Sequence, residues 1–584
     1  MRPKIFLSPA LMTGLAACGD GGTATSASTS TDTSTSTITT GADTTLGTPT
    51  NGTGSISTTQ DVTGDAPTSA PVTTTSETIA PDSSDTTAAG TCTPLSTQPC
   101  YTGPAETEDI GLCKAGTQTC DENGSAFGAC EGEVLPAPED CATPDDEDCD
   151  GSTPACAGVP QWAHLFGDAL EGQESYGLVA LADGSSYLGA HIVGVVDFGT
   201  GPLVAAGQDI VLARYDADGA AVWAKKFPGS GGTLLFDVAA DAAENIAITG
   251  WFNGDVDLGG GKLVNTGKVD IYLAKFDATG KHLWSKRFGG PELDFATATG
   301  IGPGGEVFVS GDSHGALDLG GGVLANAGAN DIFVAKYSAA GVHQWSKRFG
   351  DAAAQVNASL DVGSDGHALL AGWFLGSVDF GGDSLVSAGE GDVYLAKLAP
   401  DGAHLWSARY GDAAQQEGQN AVVHPTTGAI ALTGNFRGTL DLGGDPLVSA
   451  GDKDVFVAVF EADGTHVWSR GFGDLASQLG EDIDFTPDGG VVVVGDYAGT
   501  IDLGGGPLVA GDISDTFVAK FTATGEHVYS MRVGEAGVQQ TFTISADPTG
   551  AALISGAAHE TFEIGPFKLV AAGGNDILFA KIGP

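Results

Sequence analysis

From residue 160 onward, short apolar runs alternate with glycine-rich turns, and the alternation returns on a fixed step. Its clearest marker reads His282-Leu-Trp-Ser-Lys-Arg-Phe-Gly and again His343-Gln-Trp-Ser-Lys-Arg-Phe-Gly. Variants stand at Trp162, Trp223, Trp406, Trp468 and Tyr529, so neighbours are 61, 61, 61, 61, 62 and 61 residues apart. A period of that size is the mark of a repeat architecture.

The second full repeat, residues 233–289, shows what each unit contains. Residues 234–241 and 245–252 are two apolar runs, the second rich in β-branched and aromatic residues, and both predict strands. Asp257-Leu-Gly-Gly-Gly-Lys-Leu-Val predicts a glycine-rich hairpin. Asp270-Ile-Tyr-Leu-Ala-Lys-Phe predicts a third strand, Asp277-Ala-Thr-Gly280 a turn, and residues 281–288 a fourth strand. Four meandering strands make one propeller blade. The added hairpin makes the unit longer than the ~40–45 residues of a WD40 blade.

The third strand recurs at Asp209, Asp270, Asp331, Asp392, Asp454, Asp515 and Asp576, which predicts an all-β, seven-bladed propeller. The chain stops just after the last of these, so the seventh blade lacks a fourth strand. Residues 161–166 are a fourth strand with no blade before them. Placing that strand in the last blade closes the ring and hides both open edges. The tryptophan strand is then outermost, and the run after each Phe-Gly is innermost.

The Asp331-Ile-Phe-Val-Ala-Lys-Tyr strand, the turn glycine and Trp345-Ser-Lys-Arg-Phe-Gly resemble the bacterial seven-bladed β-propeller repeat family (SBBP repeats). The likeness covers about residues 160–584. It implies an extracytoplasmic bacterial protein and brings no catalytic residues with it.

Upstream, Arg2 and Lys4 precede a mostly apolar stretch at 5–17, too short to cross a bilayer and suited to a signal peptide. Leu15-Ala16-Ala17-Cys18 resembles a bacterial lipobox. That implies lipidation of Cys18 and export to a membrane anchor at the outer membrane or cell surface, with residues 1–18 as the lipoprotein signal and lipobox. Residues 19–90 are nearly all Ser, Thr, Gly, Ala, Asp and Pro and predict a disordered tether.

Residues 91–158 hold Cys92, Cys100, Cys113, Cys120, Cys130, Cys141, Cys149 and Cys156. With Cys18 lipidated the count is even, and an exported segment this poor in apolar residues predicts a disulfide module of open connectivity. Within it, Asp146, Asp148 and Asp150 alternate before Gly151 like the first half of a calcium loop. The twelfth position is Ala157, which cannot supply bidentate oxygens, so a solvated acidic run is the competing reading.

Net charge is 24 − 74 = −50, which argues against a nucleic-acid partner. Within the propeller, residues 159–584, three columns invite chemistry. His282, His343, His404, His466 and His527 precede the tryptophan position, but outermost strands of different blades are too far apart for a shared metal. Asp197, Asp257, Asp318, Asp379, Asp441 and Asp502 open Asp-x-Gly steps and suit turn capping. At the start of the innermost strands stand Gln173, Thr233, Asp294, Gln355, Glu417, Gln478 and Gln539, with Asn357 and Gln419 two residues further on. These predict either a polar ring at the channel mouth, suited to sugar hydroxyls or a hydrated cation, or polar strand starts near water.

No nucleophile elbow, His-Glu-x-x-His motif, phosphate-binding loop or dinucleotide fingerprint appears. The expected function is therefore a monomeric, non-enzymatic, lipid-anchored surface protein whose propeller binds an extracellular glycan or protein. The alternative is a polysaccharide hydrolase or lyase using ring carboxylates such as Asp294 and Glu417 as acid and base.

Overall fold

A computed structural model describes residues 92–137, 149, 157–169, 172–511, 513–534 and 539–584. Cys18, Cys141, Cys156, Asp146, Asp148, Asp150 and residues 19–90 lie outside the described residues. The repeats form seven four-stranded antiparallel sheets, each with its own two-stranded hairpin. In the second blade the order from the axis outward is Thr233–Ala240, Ile246–Phe252, Asp270–Phe276 and His282–Phe288. The third strand is buried along its whole length because each blade face packs on a neighbouring blade. The outermost strand is half-buried and accordingly carries His, Ser, Lys and Arg.

The last sheet runs Pro160–Phe166, Asp576–Ile582, Ala552–Ala558, Gln539–Ala546, with Phe166 opposite Ile577. Residues from the two ends of the propeller thus share one blade, as the complementary ends predict.

Hydrophobic clusters fill the spaces between sheets. One joins Tyr187, Ile210 and Leu212 of the first blade to Ile248, Tyr272 and Phe276 of the second. Buried lysines add a second tie: Lys275 Nζ donates to Gly305 O at 2.6 Å, and Lys336 Nζ to Pro400 O at 3.1 Å, each reaching the next blade. Lys581 Nζ reaches Ala217 O at 3.2 Å and repeats the tie between the seventh blade and the first.

Every innermost strand has a one-residue bulge, between Leu235 and Asp237 in the second blade. Gly250 stands opposite; a Cβ there would lie 2.0 Å from the Leu234 carbonyl oxygen, which excludes any side chain.

The cysteine region is described in two pieces. Residues 92–100 and Gly116–Gly132 form one compact unit, while Tyr101–Ala115 belongs with the propeller's unit. In the first, Thr97–Cys100 pairs with Gly116–Thr119, and disulfides join Cys92 to Cys120 and Cys100 to Cys130. In the second, Cys113 is joined to Cys149.

Candidate functional site at the propeller axis

The column expected to ring the channel mouth is instead a set of latches. Gln173, Thr233, Asp294, Gln355 and Gln478 are all buried. Gln355 Nε2 donates to Asp351 Oδ1 at 2.8 Å and Leu375 O at 3.0 Å, while its Oε1 accepts from Asp351 N at 3.1 Å. Gln478 holds Asp474 and Ala498 in the same way, and Gln173 holds Asp168 and Val193. Asp294 accepts from Gly290 N at 2.8 Å, and burial pushes its carboxyl up to about 6. The glutamines tie the loop entering the innermost strand to the end of the second strand, Asp294 holds only the entering loop, and Thr233 Oγ1 has no hydrogen-bond partner; all of them are buried. The strand at Gln539 fits the same register, opposite Ala558. The Gln539 side chain lies outside the described residues.

Glu417 does not belong to this column. Gln416 pairs with Phe436 and makes the latch to Asp412 and Arg437, while Glu417 pairs with Asn435 one step on. The fifth repeat's extra residue lies in the turn after the strand, where Gly428 N bonds His424 O in place of the shorter Gly305 N to Gly302 O closure. Asn357 is also structural: its amide donates to Ser310 Oγ at 2.8 Å and its oxygen accepts from Tyr394 at 3.1 Å. Asp294 and Glu417 are not brought together as an acid–base pair, for Glu417 instead meets Lys453 Nζ at 2.8 Å.

Gln419 does reach the inner ring. It is the bulge residue of its strand, equivalent to Tyr176, Phe236, Thr297, Ala358, Glu481 and Phe542. Tyr176 stacks on Phe542 at 4.4 Å and meets Phe236 at 5.8 Å, so three successive blades give the ring an aromatic side. Gln419 and Glu481 belong to its polar side.

Beyond the bulges all seven innermost strands line a cavity of about 240 Å³. Asp237, Asp361, Asp482 and Asp484 face it, yet each carboxylate already bonds backbone amides of the next innermost strand. Asp484 Oδ2 takes Ala546 N at 2.9 Å, and Asp361 Oδ2 takes Val423 N at 2.7 Å. The acids thereby satisfy amides that the innermost edge would leave unpaired. Burial raises the Asp361 carboxyl and pushes that of Asp484 up to about 7. The cavity shares Val179, Asp484 and Ser545 with a vestibule of about 390 Å³ edged by Pro425, Pro487 and Pro548. The channel therefore widens at the face of the first-to-second-strand turns, away from the end where the innermost strands begin.

At that other end the seven copies diverge. One position of the second strand reads His191, Trp251, Asp312, Trp373, Asn435, Asp496 and Ala557. By contrast, the third strand starts with aspartate in every copy and has alanine at its fifth position. Cross-strand neighbours of the divergent position include Glu174, Phe295 and Glu417. Asp312 is held by Asn330 at 3.2 Å, and burial pushes its carboxyl up to about 7. Glu174 accepts from Asn575 at 2.8 Å. Buried atoms without partners gather here: Asp312 Oδ1, Gln419 Nε2, Asn435 Nδ2 and His191 Nδ1. The sequence signal was the contrast between copies, legible only once the register was fixed.

The other two columns are structural. His282 Nε2 meets Ser285 Oγ at 3.0 Å beneath the hairpin, where a Cβ on Gly260 would come within 2.2 Å of the ring. Asp257 Oδ1 accepts from Gly259 N at 2.8 Å and Gly261 N at 3.1 Å, capping the hairpin turn.

No protein-family model matches the chain. It is 26% identical over 239 residues to the regulatory protein FlaEY of Caulobacter vibrioides, covering 37% of this chain and 24% of that protein. It is 20% identical over 438 residues to an uncharacterized WD repeat-containing protein of Acanthamoeba polyphaga mimivirus, covering 58% of this chain and 31% of that protein. The chain thus spans less than a third of either relative's length. Among solved structures, U3-55K aligns with 8% identity and TM-score 0.41, over 72% of this chain and 99% of that one. The Neurospora crassa Pan2 WD40 domain aligns with 10% identity and TM-score 0.35, over 71% and 98%. Likenesses this distant assign no function.

Proposed function

We propose that this is an exported bacterial lipoprotein of the SBBP-repeat type, held to its membrane through Cys18, whose propeller binds an extracellular glycan at the end where the innermost strands begin. The observation that carries the reading is the divergence of the copies at His191, Trp251, Asp312, Trp373, Asn435 and Asp496, on a scaffold whose third strand keeps Asp first and Ala fifth in every blade. A scaffold needs the same residue in each blade, whereas a ligand without sevenfold symmetry needs different ones. The unpartnered atoms include donors, Gln419 Nε2 and Asn435 Nδ2, and an acceptor, Asp312 Oδ1. A hydroxyl-rich ligand offers both partners at once, and the half-buried Trp251 suits the apolar face of a sugar ring. The disulfides fit an oxidising, extracytoplasmic setting.

Two measurements test this reading. Wild-type protein should incorporate labelled fatty acid and fractionate with membranes, and Cys18→Ala should do neither. In a screen of extracellular glycans, a hit should be lost on combining Asp312→Ala, Gln419→Ala and Asn435→Ala while melting stays near wild type. A glycan bound equally by this triple variant would move the site elsewhere.

A further inference from the structure

The repeats serve as controls for one another: five of the seven blades keep a charge pairing that the fifth and seventh lack. The buried aspartate opening the third strand pairs with a cation at the penultimate position of the fourth. Asp209 meets Lys226 Nζ at 2.6 Å, Asp270 meets Arg287 Nε at 2.7 Å, and Asp515 meets Arg532 Nε at 2.6 Å. Arg348 and Arg409 contact Asp331 and Asp392 in the same way. The guanidinium also donates to the backbone, as from Arg287 to Gly289 O at 3.1 Å and from Arg409 to Gly411 O at 3.1 Å.

In the fifth blade the cation's position is Gly471, opposite Phe456 as Arg287 is opposite Tyr272. Asp454 remains, 3% exposed, with Oδ2 accepting only Ala450 N at 2.7 Å; its Oδ1 has no partner, as in Asp270, Asp331, Asp392 and Asp515, so what it lacks against them is the cation. Among the described residues no cation pairs with it. Arg470, next along the strand, stands opposite Val457 and so projects from the other face. Burial accordingly raises the Asp454 carboxyl. The seventh blade also lacks a cation, but its closing strand puts Leu165 at that place, opposite Leu578.

We propose that the fifth blade is a receptor slot for one guanidinium group, presented by an arginine side chain of a polypeptide partner. The slot offers the Asp454 carboxylate and, by analogy with its sisters, the Gly473 carbonyl. Its walls are Phe436 and Leu447, the nearest atoms to a Cβ built at Gly471, at 3.3 and 3.6 Å. An aromatic wall beside a carboxylate suits a planar, weakly hydrated guanidinium better than an ammonium. The sister arginines are 18 to 32% exposed, so the equivalent volume opens to solvent and a ligand can enter from outside. This slot is on the outer part of the blade and is independent of the axial site.

The test uses the full chain, with methylguanidinium and an arginine-containing tripeptide as probes at constant ionic strength. Wild-type protein should bind both saturably, with butylammonium weaker. Asp454→Asn removes the charge, and Gly471→Arg fills the slot from within; each should weaken methylguanidinium about tenfold or more. Gly471→Arg should also raise the melting temperature. Asp454→Asn keeps the test valid if Gly471→Arg misfolds. No saturable binding by wild type, or equal binding by both variants as expected for diffuse attraction to a chain of net charge −50, would overturn the assignment.

Discussion

Trp284 Nε1 donates to the carbonyl of Ala339 at 3.0 Å, so the outermost strand of the second blade clasps a turn of the third. Trp345 with Pro400 and Trp468 with Ala523 repeat the bond at 3.0 Å, again one blade on. The turn fits because Gly341, with φ +78°, leaves room: a Cβ there would lie 2.8 Å from the Trp284 ring. The ring-on-glycine contact recurs from Trp162 on Gly219 to Trp468 on Gly525 and accounts for both marks of the repeat, while Trp162 and Trp406 Nε1 have no bond partner.

Trp284→Phe keeps a ring but removes the donor, and should cost about 1 kcal/mol in urea unfolding. Gly341→Ala should cost at least as much, because it strains the backbone and displaces the indole together. The double variant should cost less than the sum, since both changes break one contact. Strict additivity would show that the two residues act independently.

Deleting residues 160–166 should lower the melting temperature far more than deleting seven residues from 19–90. The closing strand supplies the outer partner of Asp576–Ile582 along its length, and Trp162 meets Phe579 at 4.8 Å. Its loss bares an edge and reopens the ring. Equal melting of the two deletions would argue against closure by strand exchange.

The blade count, the closing strand, the extra hairpin and the Asp-x-Gly caps were legible because each depends on local spacing or on one residue's backbone preference. The axial residues were not. Gln355 looks like a polar strand start, and its burial follows from two loops, at Asp351 and Leu375, that sequence does not place. Glu417 was displaced by one because the repeat's inserted residue was counted before the innermost strand, whereas it lies in the turn between Val423 and Ile430. The bulge that directs Gln419 inward arises where the pairing steps from Gly418–Gly434 to Asn420–Thr433 across strands. Gly471 was readable as a departure from Trp-Ser-Lys-Arg, but its meaning needed the buried Asp454 beside it.

The described disulfides make a mapping prediction. Non-reducing peptide analysis of exported protein should recover Cys92 with Cys120, Cys100 with Cys130, and Cys113 with Cys149. Breaking Cys100–Cys130 with paired serines should speed proteolysis within residues 92–132 and leave the propeller's melting unchanged. A different pairing in the exported protein would refute this connectivity.

Asp312 should lower stability as pH rises from 5 to 8, against histidines such as His191 and His314 whose lowered imidazoles act in the opposite direction. Burial is the main reason the Asp312 carboxyl is pushed up from 3.8 to about 7; repulsion from Asp294 adds, and the Asn330 amide opposes. His314, 3.8 Å away, also faces it, but burial lowers that imidazole and favours its neutral form. A carboxyl raised on folding stabilises the native state fully below its unfolded value, and that contribution is lost as pH climbs through the folded one. One such group changes the unfolding free energy by at most about 1.4 kcal/mol per pH unit. Asp484, also pushed up to about 7, and Asp361 should act in the same direction, so the slope has several contributors. Asp312→Asn copies the protonated form. Urea unfolding at pH 5 and pH 8 should therefore show the variant gaining on wild type between the two, with similar stabilities at pH 5. An unchanged pH 5 to pH 8 difference in Asp312→Asn would mean that Asp312 titrates near its ordinary value, with its charge satisfied at the rim.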